Sequence, residues 1–175
     1  QGQALAGMGT AVGDLDGDNR PDLVVGNLAG RSTVAFVGRA PGLFVDHSAA
    51  LGLIGPTRAV TGFGLALLDL DGDGGLDLVQ ANGHVLDRAR LGTPLTMRPT
   101  VLLNREGRFE DGTRGLGAWV QRATIGRGLA VGDLDGDDRP DVVLAHLDAP
   151  PTLLLNHSER PLLRIELVGK SPGAR

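Results

Sequence analysis

Apolar residues occur along this chain in short runs, each closed by Gly, Pro, Asn or Asp. Ala11-Val12 leads into an acidic segment, and Leu23-Val24-Val25 follows it. Leu65 to Leu68 and Leu78-Val79 flank a second acidic segment; Leu129 to Val131 and Val142-Val143-Leu144 flank a third. Runs this short between turn residues predict strands. Further strands are predicted at Thr33 to Phe36, Thr100 to Leu103 and Thr152 to Leu155. Phe44-Val45 and Phe109-Glu110 open a fourth strand in the first two units, and Leu162 to Val168 takes that place in the last.

Composition narrows the class. The 175 residues include 28 Gly and 10 Pro, with aromatics at 3% and apolar residues at 41%. Gly and Pro scattered this densely exclude a helical bundle, while the aliphatic content is enough to fill a core and excludes disorder. The expectation is an all-β chain. With no Cys, there is no disulfide, thiolate metal site or Cys nucleophile. No apolar run reaches the ~20 residues of a membrane span. The opening QGQALAGMG lacks the basic start and apolar stretch of a signal peptide.

The chain repeats itself. GMGTAVGDLDGDNRPDLVVGN (7–27), GFGLALLDLDGDGGLDLVQAN (62–82) and GRGLAVGDLDGDDRPDVVLAH (126–146) are three copies of one unit. GLFVDHSAALGL (42–53) and GRFEDGTRGLGA (107–118) form a second pair. The longer second spacing is a local insertion around HVLDRARLGTPLTMRP, about residues 84–99. Three units are expected: 1–60, 61–122 carrying the insertion, and 123–175. About three four-stranded units with Gly-rich turns predict a partial β-propeller.

The net charge is -4, but the acids are clustered. Each cluster reads D-x-D-G-D-x-x-x-D: Asp14, Asp16, Asp18 and Asp22; Asp69, Asp71, Asp73 and Asp77; Asp133, Asp135, Asp137 and Asp141. Carboxylates this close repel one another unless a cation lies between them. Oxygen-only donors select a hard ion, and Ca²⁺ tolerates their flexible geometry better than Mg²⁺. Backbone carbonyls at the seventh position (Arg20, Gly75, Arg139) are expected to complete the shells, giving about three Ca²⁺. Gly17, Gly72 and Gly136 let the chain curl. An EF-hand is the rival. It needs Gly at the sixth position, where only Gly74 complies beside Asn19 and Asp138. It also needs Glu at the twelfth, where Val25, Gln80 and Leu144 stand, and flanking helices.

These loops resemble FG-GAP repeats, the calcium-loop blades of integrin-α-type propellers (also grouped as VCBS repeats). Ala81-Asn82-Gly83-His84-Val85 and the closing LRIELVGK (163–170) resemble the family in which FG-GAP repeats precede an ASPIC/UnbV segment, with cartilage acidic protein 1 an animal member. The tail departs from that pattern, since Ser171-Pro172 runs straight into Gly173-Ala174-Arg175. The resemblance implies an extracytoplasmic (periplasmic, secreted or cell-surface) calcium-binding protein with structural or interaction roles.

Three units are fewer than the about four to eight blades of a propeller. Open sheet edges are therefore expected to meet a protein partner, missing blades or a larger complex. No nucleic-acid role is expected. Arg88, Arg90 and Arg98 of the insertion could touch anionic headgroups. Trp119, the only Trp, reads as packing between units, with a sugar platform as the alternative. A hydrolase is the weakest reading, because no nucleophile elbow or phosphate loop is present. His84 opens the insertion, His146 occupies the repeat position of Asn27 and Asn82, and His47 and His157 read as surface residues.

Overall fold

The computed structural model describes residues 4–87, 90 and 92–159. The first sheet runs in the order β1 (Thr10–Gly13), β2 (Asp22–Val25), β3 (Val34–Ala40) and β4 (Leu43–Asp46). The second contains β5 (Gly62–Leu68), β6 (Asp77–Asn82), β7 (Thr100–Asn104) and β8 (Phe109–Asp111). The third holds β9 (Gly126–Gly132), β10 (Asp141–His146) and β11 (Thr152–Leu154). Every pairing is antiparallel between chain neighbours. One helical turn, α1 (Ile54–Thr57), joins the first two sheets, and a 3-10 turn at Ala118–Gln121 joins the second and third.

The strands arise where the apolar runs predict them; most reach further at their ends, but β3 begins at Val34 rather than Thr33 and β11 stops at Leu154 rather than Leu155. β3 extends past Phe36 to Ala40 because β4 pairs with it, through a register shift between Gly38 and Ala40. The segment 162–168 and the ASPIC/UnbV-like tail lie outside the described residues.

The sheets stack face to face. Leu15, Val24, Ala35 and Val37 of the first unit close on Leu65, Leu78, Leu102 and Phe109 of the second. Ala66, Leu68, Val79 and Val101 on the second sheet's other face meet Leu129, Val142, Leu144 and Leu154 of the third. Covered on both faces, β6 is buried at every position, Gln80 and Asn82 included. Those polar groups are paired: Thr33 Oγ1 donates to Gln80 Oε1 across the sheets at 2.6 Å, and Gln80 Nε2 donates to Asn82 Oδ1 at 2.6 Å.

The first strands of successive sheets touch, β1 against β5 and β5 against β9. Gly64 makes the second contact possible, since a Cβ there would stand 2.6 Å from the Leu129 nitrogen. The end of the insertion is tied into the fold by bridges from Gly83 to Thr96 and from Met97 to Thr124, with Met97 buried. Arg90 and Arg98 are exposed, and Arg88 lies outside the described residues.

Candidate metal centres

Each acidic segment links the first and second strands of its sheet, so all three emerge at the same end of the stack. They fold alike. Asp14 Oδ1 accepts from the Gly17 and Asp18 N–H groups at 2.8 and 3.2 Å, and Oδ2 from Asn19 N–H at 2.8 Å. Asp69 and Asp133 repeat this pattern with Gly72, Asp73 and Gly74, and with Gly136, Asp137 and Asp138. The seventh-position N–H of Arg20, Gly75 and Arg139 reaches Asp18, Asp73 and Asp137, each at 2.9 Å.

The sixth position corrects the EF-hand comparison. Asn19, Gly74 and Asp138 all adopt positive φ, at 63°, 89° and 66°. Asn and Asp tolerate that region better than other side-chain-bearing residues, so all three loops bend there as a Gly would. The helices remain absent: β2, β6 and β10 follow the loops, and Val25, Gln80 and Leu144 lie in those strands.

The ninth-position acids fasten the loops down. Asp22 is fully buried; its Oδ2 accepts Leu15 N–H at 2.7 Å and its Oδ1 accepts Gly38 N–H at 2.8 Å. Asp77 does the same with Leu70 and Asn104, and Asp141 with Leu134 and Asn156. Burial pushes the Asp77 carboxyl up to about 6. The Asn104 and Leu70 N–H groups oppose that rise, and the charges of Asp71 and Asp73 add to it. Removing a carboxylate from water disfavours its ionised form.

Oxygens of Asp14, Asp16 and Asp18 lie within 4.8 Å of one another, as do those of Asp69, Asp71 and Asp77, and those of Asp133, Asp135 and Asp141. Each cluster of four therefore converges as a set of three. In the second loop Asp71 Oδ1 is shielded from solvent and has no hydrogen-bond partner. An orphaned carboxylate oxygen beside two further carboxylates fits a cation, and the oxygen-only donors fit a hard one.

One recurring position escapes a reading confined to the acidic motif. Arg39 Nη1 lies 2.9 Å from Asp16 Oδ2, and Arg105 Nη2 lies 2.6 Å from Asp71 Oδ2. Each Arg directly follows the residue, Gly38 or Asn104, whose N–H binds the ninth-position acid. In the third unit that place is held by His157, a ring nitrogen of which lies within 4.8 Å of carboxylate oxygens of Asp135 and Asp137. The signal is the pair Asn104-Arg105 aligned with Asn156-His157.

The other singled-out residues stand outside the acidic loops' carboxylate clusters. His84 is buried, and its Nδ1 lies 2.8 Å from the Leu86 carbonyl oxygen. His146 Nε2 contacts Thr152 Oγ1 at 2.9 Å. Trp119 packs against the cluster between the second and third sheets.

Residues 14–79 match the family model of an FG-GAP-like repeat. The match starts at the first Asp of the first loop and ends in β6, running from one acidic loop through the next. Those residues are thus similar to an FG-GAP-type repeat, and the described residues form three antiparallel sheets with one short α-helical turn. No curated protein matches the chain. Among the described residues no helix is long and apolar enough to cross a membrane.

Proposed function

We propose that this chain is a calcium-stapled interaction module, part of a propeller-like assembly in an extracytoplasmic setting. One Ca²⁺ per loop is held by the carboxylates of Asp14, Asp16, Asp18 and Asp22, of Asp69, Asp71, Asp73 and Asp77, and of Asp133, Asp135, Asp137 and Asp141. The carbonyls of Arg20, Gly75 and Arg139 add to these shells. The observation that carries the reading is the orphaned Asp71 Oδ1 within a loop whose backbone is already wound by its own hydrogen bonds. Millimolar extracellular calcium suits such sites, whose Kd is about 10⁻⁴–10⁻³ M. At ten times Kd, each ion would add roughly 1.4 kcal/mol by mass action.

The interaction role rests on what the stack leaves open. Leu15 plugs into the second sheet and is 3% exposed, whereas its counterpart in the third unit, Leu134, is 48% exposed. Leu153 in β11 of the same unit is 59% exposed, and Val12 at the other end of the stack 66%. These faces call for a protein partner or further blades, within a larger complex. The repeat type supports a structural role rather than a catalytic one.

The test is a melting curve in millimolar Ca²⁺ against the same sample in excess EDTA, with metal counting on the desalted protein. A higher Tm with calcium and about three ions per chain is the expected result. An unchanged Tm with no bound calcium overturns the reading.

A further inference from the structure

A cavity of about 230 Å³ opens between the second and third sheets. It lies at the ends of β6 and β10, away from the acidic loops, so its chemistry is separate from theirs. Its walls include Leu144, Ala118 and the Trp119 ring, and its polar groups include Arg122, His146 and Thr152.

Three features distinguish these walls from a packing defect. Arg122 is exposed, and its guanidinium has no ion pair among the described residues. His146 breaks the repeat, since the other units carry Asn27 and Asn82 there. Asn82 is fully committed: its Nδ2 donates to the Arg98 carbonyl oxygen and Thr100 Oγ1, and its Oδ1 accepts from Gln80. His146 uses Nε2 on Thr152, and its Nδ1 is shielded from solvent without a partner. A buried nitrogen left unpaired costs free energy that a ligand hydroxyl or a trapped water could recover.

An apolar cavity with a few convergent polar groups is the usual form of a small-molecule site. This volume lies below the roughly 300–1,000 Å³ of drug-sized pockets, which limits the ligand to about one ring. The guanidinium pairs best with a carboxylate, in a forked geometry that Lys could not reproduce. Trp119 offers an aromatic wall for a flat ring. We propose that this cavity binds a small aromatic monocarboxylate, anchored at Arg122 and stacked on Trp119, with His146 as the polar wall.

Trp119 is the only Trp of the chain, so the emission reports on the surroundings of this one side chain, the cavity wall among them. Benzoate is titrated into the calcium-loaded protein, followed by fluorescence and calorimetry, with benzyl alcohol and a methyl glycoside as comparisons. Benzoate is expected to change the emission with a Kd on the order of 1 mM, as befits so small a ligand. Arg122→Gln should weaken it about tenfold or more, the loss of a charge-assisted contact. His146→Asn, which restores the repeat's own residue, should weaken it less. Arg114→Gln, in the neighbouring cavity that Trp119 also borders, should bind as the parent does. No response to benzoate overturns the assignment. So does equal affinity for benzyl alcohol, preference for the glycoside, or unchanged binding by Arg122→Gln at unchanged Tm. Since calcium is counted separately, failure here leaves the reading of the loops untouched.

Discussion

Asn104 Nδ2 donates to the Leu15 carbonyl oxygen at 3.1 Å, clasping the first acidic loop from the second sheet. Asn156 repeats the clasp on Leu70 at 3.0 Å. The first unit has Gly38 at the equivalent position, where a side-chain amide is impossible. Each clasp ties one unit's loop to the strand end that fastens the next unit's loop, because Asn104 N–H also holds Asp77.

Removing the clasp should loosen the stack. Asn104→Ala leaves the Leu15 carbonyl and the Gly107 N–H without this partner. The expected loss is about 1–3 kcal/mol, measured by urea denaturation. Asn156→Ala should cost less, since Asn156 is only partly buried. An unchanged midpoint for Asn104→Ala would show that this clasp does not help to join the sheets.

The ninth-position acids should matter with or without calcium. Asp22→Asn turns one acceptor oxygen into a donor facing a backbone N–H inside a fully buried site. A loss of about 1–3 kcal/mol is expected even in EDTA. Asp16→Asn, at an exposed position, gives up only a part-exposed pair with Arg39 and should lower Tm mainly in calcium. Equal Tm losses for both variants in EDTA would contradict this division of labour.

Arg105 holds Asp71 and Asp73, the carboxylates that an ion in the second loop would need. Its salt bridges are part-exposed, so their strength is limited to about 1 kcal/mol. Arg105→Gln should therefore tighten calcium binding at the second loop by up to about fivefold. Calorimetry checks this, and weaker binding would mean that the guanidinium supports the loop instead of opposing the ion.

Gly64 sits where two sheets touch backbone to backbone. Gly64→Ala forces the Leu129 backbone away and should cost about 1–3 kcal/mol, as overpacking does. Gly17→Ala meets no neighbour, but its φ of 75° is one that alanine rarely adopts, so its cost would come from the turn itself. Thermal unfolding of both variants tests the two causes.

His146 should make the protein acid-sensitive. Burial holds its imidazole below the ordinary value; Arg122 adds to this, and Asp148 opposes it. The folded state thus prefers the neutral ring. The stability this gives is complete above the unfolded value of 6.5 and is lost as pH falls through that value toward the folded one. His146→Asn should flatten the stability profile below pH 6.5, read from unfolding midpoints across pH. An unaltered profile would place the acid sensitivity elsewhere.

Much of this architecture was legible in the chain. Short apolar runs set the strands, because strand formation needs only local alternation and nearby turns. The spacing of twelve Asp in three copies marked the loops, because the donors of each loop are neighbours in sequence. Tertiary structure decided the rest. It turned Asp22, Asp77 and Asp141 into buried fasteners, since their N–H partners include strand ends well downstream. It brought Arg39, Arg105 and His157 over the acids from a different strand. It set Trp119, Arg122 and His146 around one cavity, because two sheets had to meet before that space existed. Local pattern fixes what each unit can form, and only the stacking of the units determines which side chains share a space.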